Sequence, residues 1–187
     1  MRALRSFVPT LAAMLLAAGG AAAQGVLIDK SEIRFVSKQL GANVEGRFRK
    51  WKANVDLRPG DLPHSKADIE VDLGSIDLAS EDSEDEVKRP RWFDVVRFPV
   101  AKFTSTGIRL VGADKYEIAG RLSLKGLTKN VVVPLALRKD AAGNNVAQGE
   151  FTLNRLDFKV GDGQWSDPEV VAPEVQVRVR MVLPPIT

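Results

Sequence analysis

Side chains that could carry out catalysis are few in this 187-residue sequence. The single histidine, His64, stands in the loop sequence GDLPHS, so no second imidazole is available for a metal site. Cysteine is absent, which excludes disulfide bonds and thiol chemistry. The sequence contains no nucleophile elbow, phosphate-binding loop or dinucleotide fingerprint. We therefore expect a protein that is not an enzyme and that uses neither a metal nor a resident cofactor.

One charged pair has a spacing that could place both groups in a site. Arg155 and Asp157 stand two apart in the segment NRLDF, so on a strand they would share a face. The spacing suits a salt bridge or a hydrogen-bond network that stabilises a turn. The alternative is a contact with the polar head of a ligand at the rim of a cavity, and both residues are kept as candidates for that rim.

The N-terminal segment has the features of a secretory signal. Arg2 and Arg5 precede an apolar run, and Ala21 to Ala23 form a small-residue cleavage site before Gln24. The apolar run is too short to span a bilayer. We expect residues 1–23 to be a cleavable signal peptide and residues 24–187 to form one exported domain.

The charge balance excludes one large class of partners. Removal of two arginines with the signal leaves 25 basic and 24 acidic residues, a formal net charge of +1. Lysine and arginine are interspersed with acids rather than clustered, so no nucleic-acid-binding face is predicted.

Alternation of apolar and polar residues indicates the elements that position everything else. In the sequence YEIAGRLSLKGLTKNVVVPLAL, from Tyr116 to Leu137, one parity is apolar on both sides of a turn at Gly126. Successive strand side chains point to opposite faces, so this stretch is a hairpin with one apolar face. Pro134 interrupts its second strand and marks a bulge or an edge there.

The same period of two recurs along the chain and predicts an all-β fold. Eight strand candidates lie around residues 33–37, 44–57, 67–73, 101–105, 116–124, 131–137, 147–153 and 175–183, the second of them with a bend near Arg49 and Lys50. Eight antiparallel strands with one apolar face can form a two-sheet sandwich or a closed barrel. Small inward residues favour a barrel with spare internal volume, namely Gly46, Ala53, Ala67, Ala101, Gly120, Ala147 and Gly149.

One segment has no alternation. In SEDSEDEVKRPRWFDVVRFP, the acids Glu81 to Glu86 suit a helix N-terminus, and Pro90 either stops or kinks the helix. The acidic run lacks the loop glycine of a calcium-binding hand. The aromatic cluster that follows, Trp92 to Phe98, is either a lid over one barrel end or a connector that plugs the core.

Several segments in the same order resemble the YceI-like family. They are SEIRF, GRF at 46–48, WFDVVRFPVAKFTST at 92–106, the hairpin at 116–137, NRLDFKVGDGQW and EVQVRVRMVL. The family usually has a glycine where Lys159 stands. The resemblance implies an eight-stranded antiparallel lipocalin-like barrel with one short helical lid segment. It also implies a periplasmic, non-catalytic binding or carrier protein for a long-chain isoprenoid lipid.

The ligand that the resemblance implies is a polyprenyl carrier or a prenylated quinone. Eight strands give an interior just wide enough for one slender molecule. The side chains expected to line the cavity share the inward parity or cover its mouth: Ile33, Phe35, Phe48, Ile69, Val71, Trp92, Phe93, Phe103, Ile118, Leu122, Val133, Phe151, Val177 and Val179.

Other functions remain open at this point. The same cavity would suit a fatty acid or amide, and the protein could present quinone to a membrane cytochrome through transient contact with the membrane. The dyad pattern also occurs in small outer-membrane barrels, but aromatic girdles are missing here. Either a monomer or a homodimer is compatible with the sequence.

Overall fold

The computed structural model describes residues 24–185. It contains a single sheet of eleven antiparallel strands. The strands are β1 (Gln24–Gly25), β2 (Glu32–Gln39), β3 (Ala42–Phe48), β4 (Trp51–Asp56), β5 (Lys66–Asp72), β6 (Ile76–Asp77), β7 (Val100–Gly112), β8 (Lys115–Leu124), β9 (Leu127–Lys139), β10 (Asn145–Asn154) and β11 (Glu174–Leu183). Their order in the sheet is β1-β4-β5-β7-β8-β9-β10-β11-β2-β3-β6. The predicted signal peptide, residues 1–23, lies outside the described residues.

The β8–β9 hairpin forms in the segment where apolar and polar residues alternate most regularly. Leu124 pairs with Leu127 across a two-residue turn, in which Lys125 and Gly126 have φ angles of 49° and 74°. Two positive φ angles define the type I′ turn, whose twist matches that of the flanking strands. The apolar residues of both strands therefore share one face, as the sequence predicts.

The prediction of eight strands is wrong, and the reason is a sharp bend. The stretch 44–57 forms two strands, β3 and β4, which are not paired with each other and lie near opposite ends of the strand order. Ser75 holds the bend between them: its carbonyl oxygen accepts from Arg49 N at 3.0 Å, and its hydroxyl accepts from Lys50 N at 2.9 Å. The two-residue strands β1 and β6 complete the eleven.

This bend also explains why the sheet curls. Because β3 and β4 are consecutive in the chain, the bend holds the two margins of the sheet together. The amide of Asp72, at the end of β5, donates a hydrogen bond to Lys50 O at 3.0 Å. This bond attaches β5, the neighbour of β4, to the same bend. The apolar face of the sheet is thereby turned inward on itself.

A single α-helix, α1 (Glu81–Lys88), occurs in the part of the chain that the structure describes. Ser80 is its N-cap, and the Ser80 hydroxyl accepts a hydrogen bond from Ser83 N at 3.2 Å. Acids in the first turn favour this end of the helix dipole. The helix stops before Pro90, which is one of the two predicted outcomes. Between residues 24 and 185, no helix has the length and apolar character needed to cross a membrane.

Candidate ligand-binding cavity

The curled sheet surrounds a cavity of about 480 Å³. The cavity is lined by inward-facing side chains of the nine strands that are longer than two residues. Two segments cover one end and contribute further lining residues: 73–99, which includes α1, and 155–171. All fourteen residues predicted to line a cavity do so. The volume falls within the range of roughly 300–1,000 Å³ that is typical of small-molecule sites.

Alanines, and not glycines, leave the space open. Ala67, Ala101 and Ala147 line the cavity, as expected from their parity. A Cβ atom on Gly46 would lie 2.4 Å from Cζ of Phe35, and one on Gly120 would lie 2.4 Å from Cζ of Phe103. Aromatic rings therefore already occupy the room at these glycines, and the expectation that the glycines provide spare volume is wrong.

Aromatic rings form a row along one wall. The ring centroids of Phe35 and Phe48 are 5.6 Å apart, and those of Phe48 and Phe93 are 6.3 Å apart. The aromatic cluster after α1 is divided: Trp92 and Phe93 line the cavity, while the ring of Phe98 packs against Gly126 and is not part of the lining. Only the first part of this segment therefore covers the cavity.

Arg155 has a structural role in the cap, the name we give to the two segments, 73–99 and 155–171, that cover one end of the cavity. It is 4% exposed, and its guanidinium donates hydrogen bonds to five backbone carbonyl oxygens. The acceptors belong to Val160, Gly161, Trp165, Val171 and Ala172, at distances of 2.5 to 2.9 Å. Burial lowers the pKa of Arg155. Of the two interpretations of the NRLDF segment, the structure contains the hydrogen-bond network that stabilises a turn.

Asp157 does not join Arg155 in a rim. It is exposed, no cation lies within ion-pair distance of it among residues 24–185, and it does not line the cavity. Both residues belong to the 3₁₀ turn Arg155–Phe158, in which side chains two apart point in different directions. The expectation of a shared strand face fails for this reason.

One opening of the cavity lies between α1 and the β2–β3 hairpin. On α1, Asp82, Ser83 and Glu86 lie on the face toward the cavity, and Ser37 and Gln39 extend the inward parity of β2. Sequence reasoning missed these residues. The sequence does contain a relevant pattern, because polar side chains at inward-facing positions of a strand indicate where the wall of the cavity meets solvent.

A cleft separates part of β9 from β10. The two strands pair only between 135–139 and 145–149; beyond Leu135 and Gly149 the pairing stops. Pro134 stands at this point and has no N–H to donate. A cleft of about 260 Å³ begins there, lined by Lys129, Asn130, Val131, Val132, Phe151, Thr152, Leu153, Asn154, Asp157 and Phe158. The proline therefore marks an interruption on one side of β9.

Carboxylates on the outer face are neutralised by paired cations. Glu70 lies 2.6 Å from the ammonium groups of both Lys52 and Lys102, whose hydrogen bonds lower its pKa to about 2. Asp77 is held in the same way by Arg49 and Arg47, and its pKa is also about 2. Between residues 24 and 185 no group of three metal-ligating side chains is found.

Comparison with known proteins gives matches over most of the chain. A model of the YceI-like domain family matches residues 26–183. The UPF0312 protein of Azotobacter vinelandii is 30% identical over 160 residues, which are 80% of this chain and 83% of that protein. Protein YceI of Salmonella arizonae is 28% identical over 133 residues, or 68% and 69% of the two chains.

Two solved structures have similar folds. Burkholderia cenocepacia BcnA superimposes with a TM-score of 0.80 at 34% identity, covering 84% of this chain and 98% of that one. A polyisoprenoid binding domain from Saccharophagus degradans superimposes with a TM-score of 0.68 at 15% identity, covering 88% and 99%. At that identity the second likeness concerns the fold alone.

Proposed function

Because the chain belongs to the YceI-like family, we propose that it binds a long-chain isoprenoid lipid inside the curled sheet and carries it through the periplasm without covalent chemistry. The ligand is a polyprenyl carrier or a prenylated quinone, and the fold acts as a lipocalin-like barrel. The protein meets the membrane transiently to load and release the lipid.

The observation that supports this proposal is the apolar cavity of about 480 Å³. Its wall away from the α1 opening consists almost entirely of aliphatic and aromatic side chains. Each Å² of apolar surface that a guest buries there contributes roughly 25 cal/mol, and a chain of several prenyl units has several hundred Å² to bury. Part of that gain is offset by immobilisation of the guest.

The chemistry of the lining supports binding over catalysis. Four charged residues are among the lining residues. Asp82 and Glu86 are at the α1 opening, Arg34 forms an exposed ion pair with Glu32, and Arg155 is fully used by backbone carbonyls. No histidine is among them. The polyisoprenoid ligand class in the name of the Saccharophagus degradans domain is consistent with the proposal.

Native mass spectrometry of the purified protein, followed by solvent extraction, tests the proposal. We expect a co-purified isoprenoid, or stoichiometric uptake of an added one such as geranylgeraniol. In an Ala147→Phe variant the new ring would occupy the cavity, so uptake should fall at least tenfold. Ala119, on the outer face of β8 opposite Val132, provides the matched control Ala119→Phe.

The result that would refute the proposal is equally clear. It is refuted if the delipidated protein takes up no prenyl chain, or if Ala147→Phe binds as well as Ala119→Phe. Circular dichroism and thermal melting of both variants show whether each has kept its fold.

A further inference from the structure

The cleft between β9 and β10 lies in the wall of the curled sheet and adjoins the main cavity. Val131, Phe151, Leu153 and Phe158 line both this cleft and the main cavity. The cleft is also lined by Val132, which is 52% exposed on the outer face of β9. The four shared residues therefore separate this cleft from the cavity. We use the term side window for the cleft lined by residues 129–132, 151–154, 157 and 158.

The side window exposes backbone hydrogen-bonding groups. Residues 127–134 of β9 pair with β8 on one side, and residues 150–154 of β10 pair with β11, but the two segments do not pair with each other. Their facing N–H and C=O groups have no strand partner there. An interior gap of this kind is unusual in an antiparallel sheet, where neighbouring strands normally satisfy each other's backbone groups.

Lys129 places a cation in this window. It lies opposite Leu122 in the β8–β9 register, and Leu122 lines the cavity, so the side chain of Lys129 leaves the strand on the cavity face. Its side chain is exposed, and no carboxylate lies within 4 Å of it among residues 24–185. Arg121, opposite Asn130 on the outer face, adds a second cation nearby. Asp157 is the one acid that lines the window.

The side window and the α1 opening differ in charge. The α1 opening carries the carboxylates of Asp82 and Glu86, and Glu86 pairs with Arg89 at 3.1 Å while Asp82 has no ion-pair partner in the described chain. Two cations, Lys129 and the nearby Arg121, outnumber the single carboxylate of Asp157 at the side window. The α1 opening instead presents the unpaired carboxylate of Asp82, so an oxygen-rich polar end is favoured at the window. The charges therefore orient an amphiphile whose polar end accepts hydrogen bonds.

We propose that the side window holds the polar end of the bound lipid, with Lys129, Asn130 and unpaired backbone N–H groups donating to its acceptor oxygens, while the tail fills the cavity. This assignment rests on the proposed lipid-binding function. Acceptor oxygens of this kind occur on a phosphate and on a quinone carbonyl, and the experiment separates the two.

The test compares probes that share a prenyl tail. Farnesol, farnesyl phosphate and a ubiquinone with a short prenyl tail are titrated against the delipidated protein by tryptophan fluorescence, because Trp92 lines the cavity. We expect farnesyl phosphate to bind about 2- to 5-fold more tightly than farnesol, the range for an exposed ion pair. The difference should shrink at about 1 M salt, where charges are screened within ~3 Å.

The variant Lys129→Met removes the ammonium group and keeps an apolar stem, so it should abolish the preference for phosphate. Lys139→Met, on the same strand but at its far end, is the matched control and should keep it. A loss confined to farnesyl phosphate assigns the window to phosphates; a loss for the quinone as well extends it to carbonyl oxygens.

Equal affinities of farnesol and farnesyl phosphate would overturn the assignment, as would an unchanged ratio in Lys129→Met. Photo-crosslinking from a reactive group on the probe's polar end gives an independent readout. Labels on residues 129–132 or 151–158 support the side window, and labels on α1 overturn it. If none of the three probes binds, the lipid-binding function itself fails; equal binding of all three defeats only the side-window assignment.

Discussion

Replacement of Arg155 by methionine should be among the most destabilising single changes in this protein. The methionine side chain keeps much of the buried apolar stem and removes all five N–H···O=C hydrogen bonds. The carbonyls of Val160 and Gly161 would then be left without this donor inside the cap. Because no carboxylate of residues 24–185 pairs with the guanidinium, the change leaves no opposite charge unpaired there.

The magnitude follows from the number and burial of the bonds. A hydrogen bond to a charged group contributes about 1.5–3 kcal/mol, but five from one side chain are not additive, and loss of a buried network typically costs about 3–5 kcal/mol. For a domain of this size the melting temperature should fall by about 6–20 °C. Arg155→Lys offers at most three donors and should fall between wild type and Arg155→Met.

Urea denaturation of delipidated protein is the appropriate assay, since a bound ligand would add stability by mass action. Trp92 and Trp165 report on this region directly: their ring centroids are 5.6 Å apart, and the guanidinium carbon of Arg155 lies 5.8 Å from the Trp92 ring. Arg34→Met is the control, because that arginine forms an exposed ion pair with Glu32 and should change stability by less than about 1 kcal/mol. A loss below about 1 kcal/mol for Arg155→Met would refute the reasoning.

Two further predictions concern the backbone and the surface charge. Lys159 has a φ angle of 54°, so Lys159→Gly should stabilise the protein by about 0.5–1 kcal/mol in urea denaturation; a less stable variant would contradict this. The pKa of Glu70 is lowered from 4.5 to about 2 by Lys102 and Lys52, so its contribution to stability is complete above pH 4.5 and is lost as the pH falls toward 2. The difference in unfolding free energy between wild type and Glu70→Gln should therefore close over that interval, and a difference that is independent of pH would exclude this role.

The sequence predicts the strands well where alternation is long and regular. The β8–β9 hairpin and β11 agree with their predicted faces because local periodicity and turn chemistry act together there. β1 and β6 are missed because two residues contain no periodicity. The bend near Arg49 and Lys50 is predicted, because the apolar parity switches there. That it separates two unpaired strands is not, since the bend is held by Ser75, 25 residues from Lys50.

The role of Arg155 in the cap is predicted only in part. The NRLDF segment allows a turn-stabilising network or a rim contact. The sequence does not decide between them, because the burial of Arg155 depends on a loop that folds back to supply five carbonyls. The position of Lys159 is different. A glycine is usual there in the family that the sequence resembles, and the observed φ of 54° is the conformation that favours glycine. The departure was visible in the sequence, although its geometric meaning was not.

Cavity volume is the property that alternation determines least. Parity identifies which side chains point inward, but Gly46 and Gly120 show that a small inward residue can hold a neighbouring ring as readily as it can leave space. What decides between these outcomes is the set of neighbours on the adjacent strands. Phe35 is paired with Gly46, and Phe103 lies diagonally from Gly120, two residues from its partner Ser105. Ala147 is paired with Met181 and Leu137 and remains part of the open wall. Free space in such a sheet therefore depends on which side chains are neighbours across strands. It can be predicted from a sequence only once the strand register is known.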